Sequence, residues 1–497
     1  MQRFILCLIV ICILFLFNLL TATNNNQTTK SNSQIQNTII QNLRKQIPNM
    51  MKQVDVPGLS IAVIQNGEIA WMSGFGVTQI GTTDSVTEKT MFEAGSLSKP
   101  VFAYAVLQLV DQELLDLDKP LTNYLPASYI SDEKVNQITA RMVLNHTSGL
   151  PLWWPQEGEL QIHFTPGEKF SYSSEAFVYL QHVVEQITNH SLEVFIEKQV
   201  FVPLEMHNSS FIWKNDFENN IARGHNIFVI PEEPWKRNIA NAASSIYTTS
   251  EDYAKFMIAV INGVGLEQKT HTEMHKSQIK VDSNCLVCLE NKNVNLSETI
   301  SWGLGWGLEQ TPNEKVFWHW GDNMFVSSYC AGSLSQKSGV VFFANSSSGL
   351  ALKDEIVTTV IGGEHPAFNW LHYDQYNSPA MIFRQTVLKK GTEIGFNKYH
   401  ELKIKYKNEE GFVPENSLND LGYMLLHLNR IDEAIEIFRL NVEENPASWN
   451  VYDSLAEVYA TNGDKTRAVN YYNIALNKVE EESHKQRIKQ IIQKLNQ

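Results

Sequence analysis

The order of strand-like and helix-like segments constrains the fold of this chain more than any other feature of its sequence. Segments 59–64 and 69–71 are strand-like, and the Asn-Gly turn between them predicts a β-hairpin. Several short strands are predicted again within 302–345, after a long stretch whose apolar residues recur at helical spacing. Strands at both ends with helices between them predict an α+β domain, in which helices cover an antiparallel sheet.

Length and composition indicate a globular protein with more than one domain. At 497 residues the chain exceeds one ordinary domain, so two or three are expected. Hydrophobic residues make up 43% of the chain and charged residues 19%, which allows a large buried core. The net charge of −14 argues against a nucleic-acid partner, because proteins that bind nucleic acids present basic surfaces.

The first 23 residues predict a targeting segment. Arg3 is the only charge before an apolar run over 4–20, which is the pattern of a signal peptide. Because a spanning helix needs about 20 residues, the run is slightly short for one. Cleavage near Thr23 and an uncleaved membrane tether through residues 4–20 both stay open, and both predict an extracytoplasmic protein, periplasmic or secreted. The polar residues 24–38 predict a flexible linker.

A Ser-x-x-Lys tetrad runs from Ser96 to Lys99 at the predicted start of a helix. Pro100 fits the first turn of that helix, where a missing N–H costs little. Residues three apart share a helix face, so the Ser96 hydroxyl and the Lys99 amine are predicted to lie side by side. Since a serine becomes a good nucleophile when a neighbour takes its proton, the pair is a candidate catalytic site. By itself the tetrad is a weak signal, because it occurs by chance in chains of this length.

Two later segments carry further candidate residues. Tyr172 follows a Pro-Gly turn and precedes a helix predicted over 176–187, and His319 lies in the strand-like segment 316–323. His146 stands in a Gly- and Pro-containing turn, where a histidine more often holds the turn than takes part in catalysis. The sequence therefore predicts a structural role for His146.

Three motifs occur in the order found in the serine β-lactamase and penicillin-binding protein superfamily: Ser96-Leu97-Ser98-Lys99, Tyr172-Ser173-Ser174 and His319-Trp320-Gly321. Over residues 39–361 the chain most resembles the class C branch, with its D,D-carboxypeptidases, class C β-lactamases and related esterases. The resemblance implies a β-lactamase/transpeptidase-like fold, in which helices flank an antiparallel sheet that carries an all-helical insertion.

The resemblance implies a serine hydrolase that works through an acyl-enzyme on a small-molecule or peptide substrate: a D-peptide, a small ester or a β-lactam. Ser96 would attack the acyl carbon, and Lys99 would accept a proton or supply charge. Tyr172, with a pKa lowered by neighbouring cations, would exchange protons with Ser96 and the leaving group. The backbone N–H groups of Ser96 and Asp322 would form the oxyanion hole. No metal and no cofactor are implied.

Four residues are expected to bind substrate, and two of them depart from the family pattern. Ser174 replaces the usual Asn and donates a single hydrogen bond, which ranks esterase or D,D-peptidase activity above β-lactamase activity. Trp320 is the second departure, because it replaces a smaller residue. At the position of His319 many members have Lys to orient the substrate, and His is a known variant in the esterase and peptidase branches. Gly321 would let the substrate approach the strand edge. Stacking on substrate and packing in the core both stay open for Trp318 and Trp320.

The cysteines leave several alternatives open. Cys285 and Cys288 form a C-x-x-C motif, which fits half of a zinc site, a redox pair or an exposed loop with a small disulfide. No second pair of ligands with zinc spacing follows, so the loop is favoured. No role is predicted for Cys330.

A repeated pattern of apolar and small residues begins near residue 416. Leu421 recurs as Leu455 and Ala434 as Ala468, a spacing that resembles the tetratricopeptide repeat. A protein or peptide partner for the repeats and a module that only packs both stay open, and a catalytically weak penicillin-binding-like protein whose repeats recruit a partner is the alternative function. The predicted organisation is a hydrolase domain over 39–375, a helical connector or degenerate repeat over 376–415, and repeats over 416–497.

Overall fold

The computed structural model describes residues 36–126, 129–155, 158–289, 295–311, 314–406 and 412–497. The chain divides into two compact units, of which the first ends at Leu371 and the second spans His372–Gln497. The predicted signal peptide or anchor over 1–23 lies outside the described residues, as does most of the linker predicted over 24–38. No helix within the described ranges is long and apolar enough to cross a membrane.

The first unit is built on an eight-stranded sheet. Its strands are β1 (Gly58–Gln65), β2 (Glu68–Gly76), β5 (Ile279–Asp282), β6 (Leu296–Trp302), β7 (Gly307–Gln310), β8 (Lys315–Asp322), β9 (Ser327–Ser333) and β10 (Ser338–Ala344), and a separate pair is formed by β3 (Phe92–Glu93) and β4 (Tyr247–Thr248). The order across the sheet is β2-β1-β10-β9-β8-β7-β6-β5, and all neighbouring strands are antiparallel. The predicted α+β fold with an antiparallel sheet is confirmed.

Local sequence explains the hairpin at one edge of the sheet. Asn66 and Gly67 both have positive φ (55° and 74°), as a two-residue hairpin turn between β1 and β2 requires. β1 then pairs with β10, with Ile61 opposite Phe342, so the first and last strands of the sheet are neighbours. Both strands are buried along almost their whole length, which is why they are apolar without alternation.

Helices surround this sheet and connect its two ends. The helices of the first unit are α1 (36–53), α2 (Ser98–Asp111), α3 (Ala140–Leu144), α4 (Glu175–Thr188), α5 (Leu192–Ile196), α6 (Ser250–Asn262), α7 (Gln268–Met274), α8 (Lys353–Ile361) and α9 (Pro366–Trp370). Thr139 caps α3 and Thr249 caps α6, because each hydroxyl accepts a hydrogen bond from an N–H in the first turn of its helix. Almost every residue of α2 is buried, so this helix is central to the unit.

The second unit is entirely helical in its described part. Its helices are α10 (Pro379–Lys390), α11 (Thr392–Lys405), α12 (Glu415–His427), α13 (Ile431–Glu444), α14 (Trp449–Thr461), α15 (Lys465–Lys478) and α16 (Glu482–Leu495). They share one apolar core, which includes Leu421, Phe438, Leu455 and Tyr472. The unit therefore has a core of its own, as an independent domain requires.

Candidate active site

Ser96 lies in a short 3₁₀ turn, Gly95–Leu97, that leads directly into α2. Gly95 has a φ of +55°, a conformation that side chains disfavour, so glycine allows the sharp turn. The Ser98 hydroxyl donates to the Gly95 carbonyl at 2.7 Å and accepts from the Ile246 N–H at 3.0 Å. These bonds fix the turn and leave the Ser96 side chain half-buried at the start of the helix.

The Lys99 amine lies at the centre of the polar contacts. Its Nζ is 3.1 Å from the Ser96 hydroxyl, 3.0 Å from the Ser174 hydroxyl and 2.9 Å from the Ala243 carbonyl oxygen. The side chain has no exposed surface, and burial holds the pKa of Lys99 well below its usual value. A neutral amine has a lone pair that can accept a proton, so the amine can serve as a base toward Ser96.

Tyr172 lies beside this amine, but its acidity differs from the sequence prediction. The Lys99 Nζ is 4.8 Å from the centre of the Tyr172 ring. The predicted lowering of the Tyr172 pKa is wrong, because burial raises that pKa and outweighs the opposite effect of the nearby Ser96 hydroxyl. The buried Tyr172 hydroxyl has no hydrogen bond of normal geometry to any described residue. Tyr172 is therefore a neutral hydroxyl across the physiological pH range.

His146 makes hydrogen bonds to the residues on both sides of Tyr172. Its carbonyl accepts from the Ser171 N–H at 2.8 Å, and its Nδ1 accepts from the Ser173 N–H at 3.1 Å. The imidazole is buried with its ring centre 4.3 Å from that of Tyr172, and burial lowers the pKa of His146 well below the usual value. These contacts agree with the structural role predicted for His146.

The third motif lies on β8, where His319 supplies no positive charge. Its side chain is fully buried, and burial lowers the His319 pKa to about 3. The Trp320 N–H donates to the His319 Nδ1 at 2.9 Å. His319 is therefore a neutral imidazole.

The two tryptophans of β8 pack inside the protein. Trp318 has no exposed surface and Trp320 is 5% exposed. The Trp320 ring lies 5.0 Å from the Tyr172 ring, and the Trp318 ring lies 5.6 Å from that of Trp302. Of the two alternatives, the structure favours core packing, with Trp320 supporting the tyrosine rather than forming an open stacking surface.

Gly321 lets two other segments of the chain approach its backbone closely. A Cβ at this position would lie 2.1 Å from the Ala94 carbonyl oxygen and 2.4 Å from the Ser328 hydroxyl. These groups fill the side-chain face of Gly321, and the approach of substrate to the strand edge stays a prediction. The Ser328 hydroxyl donates to the same Ala94 carbonyl at 3.0 Å, which ties β9 to the residues before Ser96.

The end of β8 lies beside the Ser96 turn. Asp322 closes a tight turn, because its Oδ1 accepts from the Met324 N–H at 2.9 Å. The Asn323 side chain lies 2.9 Å from the position that a Gly95 Cβ would occupy. The end of β8 therefore lies against the turn that carries Ser96, and the oxyanion hole of the Ser96 and Asp322 N–H groups stays a prediction.

Two contacts of the site were not predicted from the sequence. The Ala243 carbonyl accepts from Lys99, and the alanine side chain has no polar group that would signal this role. Glu175 begins α4, and its carboxylate accepts from the Tyr129 hydroxyl at 3.1 Å and the Trp154 N–H at 3.2 Å. These contacts hold the segment next to Ser174.

Cys285 and Cys288 form a disulfide, so both sulfurs are used within the C-x-x-C motif. This outcome supports the alternative of a loop with a small disulfide, although Cys288 is buried at 2% exposure. Cys330 is a free buried cysteine on β9, opposite His319 of β8.

Comparisons with known proteins show which sequences and structures this chain is similar to. The sequence model of the beta-lactamase family matches residues 43–358. Protein flp of Staphylococcus aureus (strain N315) is 23% identical over 372 residues, which cover 69% of each chain. Similar solved structures include the octameric penicillin-binding protein homologue from Pyrococcus abyssi, with a TM-score of 0.55 and 23% identity over 71% of this chain and 81% of that chain. The beta-lactamase/D-alanine carboxypeptidase from Pseudomonas syringae has a TM-score of 0.54 and 18% identity, over 63% of this chain and 94% of that chain.

Proposed function

This chain belongs to the beta-lactamase family of serine hydrolases, and we propose that it hydrolyses uncharged esters through an acyl-enzyme on Ser96. The observation that carries the proposal is the fully buried Lys99 amine, 3.1 Å from the Ser96 hydroxyl. The order of the three motifs and the Tyr172 hydroxyl favour the class C-like branch of the family. The substrate would be a small ester in preference to a D-peptide, with β-lactams last.

In the proposed reaction Lys99 is the general base. Its neutral form takes the proton of Ser96 while the serine oxygen attacks the acyl carbon. The backbone N–H groups of Ser96 and Asp322 hold the charge that develops on the carbonyl oxygen. Tyr172 gives its proton to the leaving oxygen and takes back the proton that Lys99 accepted from Ser96, which releases the alcohol and restores both groups. Lys99 then accepts a proton from the water that attacks the acyl-enzyme, and returns it to the Ser96 oxygen as the acid leaves.

The polar groups around Ser96 support an uncharged substrate. Ser174 offers one hydroxyl, already 3.0 Å from Lys99, where an Asn side chain would both donate to and accept from a substrate amide. His319 is neutral because its pKa is about 3, so the third motif offers no cation to a substrate carboxylate. A carboxylate brought into such a site without a partner would lose free energy by desolvation.

Exposed apolar side chains beside the site support the same preference. Trp153 is 44% exposed and follows Leu152, whose carbonyl accepts from the Ser174 N–H at 2.9 Å. Met324 is 64% exposed and belongs to the turn that lies against the Ser96 segment. Apolar groups on both segments can cover an apolar acyl chain and remove it from water.

A pair of matched esters tests this preference. p-Nitrophenyl valerate and p-nitrophenyl hydrogen glutarate carry acyl chains of equal length that differ in a terminal methyl or carboxylate group. We expect kcat/KM to be at least about tenfold higher for valerate, because the carboxylate would be desolvated without a cation. The measurement is p-nitrophenolate release, corrected for spontaneous hydrolysis. A preference for glutarate would contradict the proposal and point to a cation within reach of the acyl chain.

The second candidate is a catalytically weak penicillin-binding-like protein whose helical unit recruits a partner. The replacement at Ser174 and the buried hydroxyl of Tyr172, 3% exposed, favour it over a fast β-lactamase. It predicts that a fluorescent penicillin labels Ser96 while neither ester is turned over. Turnover of valerate well above the spontaneous rate would reject it.

We also propose that α12 to α15 form two tetratricopeptide-like repeats. The offset from Glu415 at the start of α12 to Trp449 at the start of α14 equals the offset from Ile431 at the start of α13 to Lys465 at the start of α15. The paired helices are equally long, at 13 residues for α12 and α14 and 14 residues for α13 and α15. Equal lengths and equal spacing are what a repeated helix pair of this kind requires.

The close packing of the first pair gives a test. A Cβ at Gly422 would lie 2.5 Å from the Phe438 ring. We expect Gly422→Val to destabilise the helical unit by about 1–3 kcal/mol through overpacking, with ester turnover unchanged. Thermal unfolding followed by circular dichroism measures the first effect, and Ala447→Val, at an exposed position, is the control. Equal stability of both variants would contradict close packing at Gly422.

A further inference from the structure

The disulfide loop is bonded directly to the segment that carries Tyr172. The Tyr172 N–H donates to the Leu286 carbonyl at 2.9 Å. The Cys288 N–H donates to the Ser171 hydroxyl at 2.9 Å. Both bonds therefore come from the four residues that the Cys285–Cys288 disulfide closes into a ring, with 5.7 Å between the two Cα atoms.

These two bonds hold one side of Tyr172, whose other side is held by rings. The Tyr172 ring packs 4.3 Å from the His146 ring and 5.0 Å from the Trp320 ring. The packed rings fix the Tyr172 side chain, while the hydrogen bond to the Leu286 carbonyl fixes the Tyr172 backbone. A disulfide restricts the conformations of the loop it closes, so the carbonyl of Leu286 is kept where Tyr172 needs it.

We propose that the Cys285–Cys288 disulfide is a redox modification site that positions Tyr172, and that its reduction by a dithiol lowers turnover. The proposal rests on the proposed function in one respect, the role of Tyr172 as proton donor. The positioning of Tyr172 by the loop can be measured without any substrate.

The exchange reaction balances with a dithiol as the reductant. A thiolate of the dithiol attacks the Cys285 sulfur, because Cys285 is partly exposed while Cys288 is 2% exposed. The S–S bond breaks, and its electron pair stays on the Cys288 sulfur. The second thiolate of the dithiol then displaces Cys285, which leaves two protein thiols and one oxidised dithiol. The two protons come from the dithiol. The remaining described cysteine, Cys330, is buried and takes no part.

The experiment compares the oxidised and dithiol-reduced full-length protein by hydrogen exchange and by p-nitrophenyl valerate turnover. Thiol alkylation and mass measurement confirm the redox state of Cys285 and Cys288. In the reduced protein we expect peptides spanning 171–173 and 286–288 to exchange about tenfold faster, because their mutual hydrogen bonds open more often. We expect turnover to fall by about tenfold, and both effects to reverse on reoxidation.

Variants separate the disulfide from the loop itself. Cys285→Ser with Cys288→Ser should show the reduced behaviour without dithiol and no response to it. Ser171→Ala, which removes the bond to the Cys288 N–H, should raise exchange at that amide with the disulfide intact. Val287→Ala changes an exposed side chain of the same loop, 37% exposed, and should keep the full response to dithiol.

The outcomes separate this proposal from the proposed function. Equal exchange at Tyr172 in both redox states would overturn the positioning role, whatever the turnover. Faster exchange with unchanged turnover would overturn the control of activity. A protein that is inactive toward the ester in both states would reject the hydrolase proposal, while the exchange measurement would still decide whether the disulfide positions Tyr172.

Discussion

Ser96→Ala should abolish ester turnover, with a loss in kcat of roughly 10⁴–10⁶-fold, the range for removing an activated serine nucleophile. The loss should be this large because the acyl group has no other oxygen to which it can be transferred at this position. The variant should also fail to react with a fluorophosphonate probe or a fluorescent penicillin. Turnover of p-nitrophenyl valerate and gel fluorescence after probe labelling measure both effects.

Ser98→Ala is the matched control for this result. It removes the other hydroxyl of the tetrad, which is engaged by the Gly95 carbonyl and the Ile246 N–H. We expect it to lower the unfolding temperature by loosening the turn, while probe labelling persists. Labelling that survives in Ser96→Ala and disappears in Ser98→Ala would show that Ser98, and not Ser96, is the nucleophile.

The hairpin of β1 and β2 could be predicted from the sequence because its turn is a local feature. The Asn66-Gly67 turn requires positive φ at both residues, and such turns are rare outside two-residue hairpins. The pairing of β1 with β10 could not be predicted, because strand partners from opposite ends of a domain leave no local signal in one sequence. The tetrad could be placed at the start of a helix because its signal is local. Residues spaced by three share a face there, so Ser96 and Lys99 were expected to lie side by side.

The contacts of the site that depend on backbone could not be predicted. Ala243 contributes a carbonyl oxygen to Lys99, and any residue at that position would offer the same atom. Gly321 signalled a close approach correctly, but the sequence could not show that Ala94 of the same chain fills the space. The reactive side chains could therefore be predicted from the sequence, but the backbone groups that position them could not.

The pKa of Tyr172 shows that a neighbouring charge alone does not predict a pKa shift. The family resemblance implied that Lys99 lies near Tyr172, and a neighbouring cation predicts a lowered tyrosine pKa. In the structure both groups are buried, and desolvation raises the pKa of Tyr172 while it lowers that of Lys99. Because of these two shifts, Lys99 rather than Tyr172 is the better base for the Ser96 proton.

Lys99→Met should lower kcat by about 10²–10⁴-fold, the usual effect of removing a group that transfers a proton. The amine lies 3.1 Å from the Ser96 hydroxyl and methionine offers no comparable base. In the parent protein kcat/KM should rise with pH as Lys99 loses its proton, at a pH well below the ordinary lysine value. Tyr172→Phe is the control, since it should lower kcat by a similar factor and keep this pH dependence.

The same substitution should change stability with a defined dependence on pH. Because burial lowers the folded-state pKa of Lys99, the unfolded chain binds a proton there up to about pH 10.4 that the folded protein does not bind. The stability of the parent protein should therefore rise with pH between the lowered folded-state pKa and about 10.4. The methionine of the variant does not titrate, so the lysine protein should gain stability relative to the variant as the pH rises through that window.

Urea unfolding of the parent and Lys99→Met proteins at several pH values from about 6 to 10 measures this difference, across the window set by the lysine titration. The hydrogen bonds that Lys99 makes to Ser96, Ser174 and Ala243 are lost in the variant, and their loss shifts the difference by a constant. The slope with pH, rather than the offset, therefore reports the protonation of Lys99. A difference that does not change with pH would mean that the buried amine keeps its proton, and then Lys99 could supply charge to Ser96 but could not act as its base.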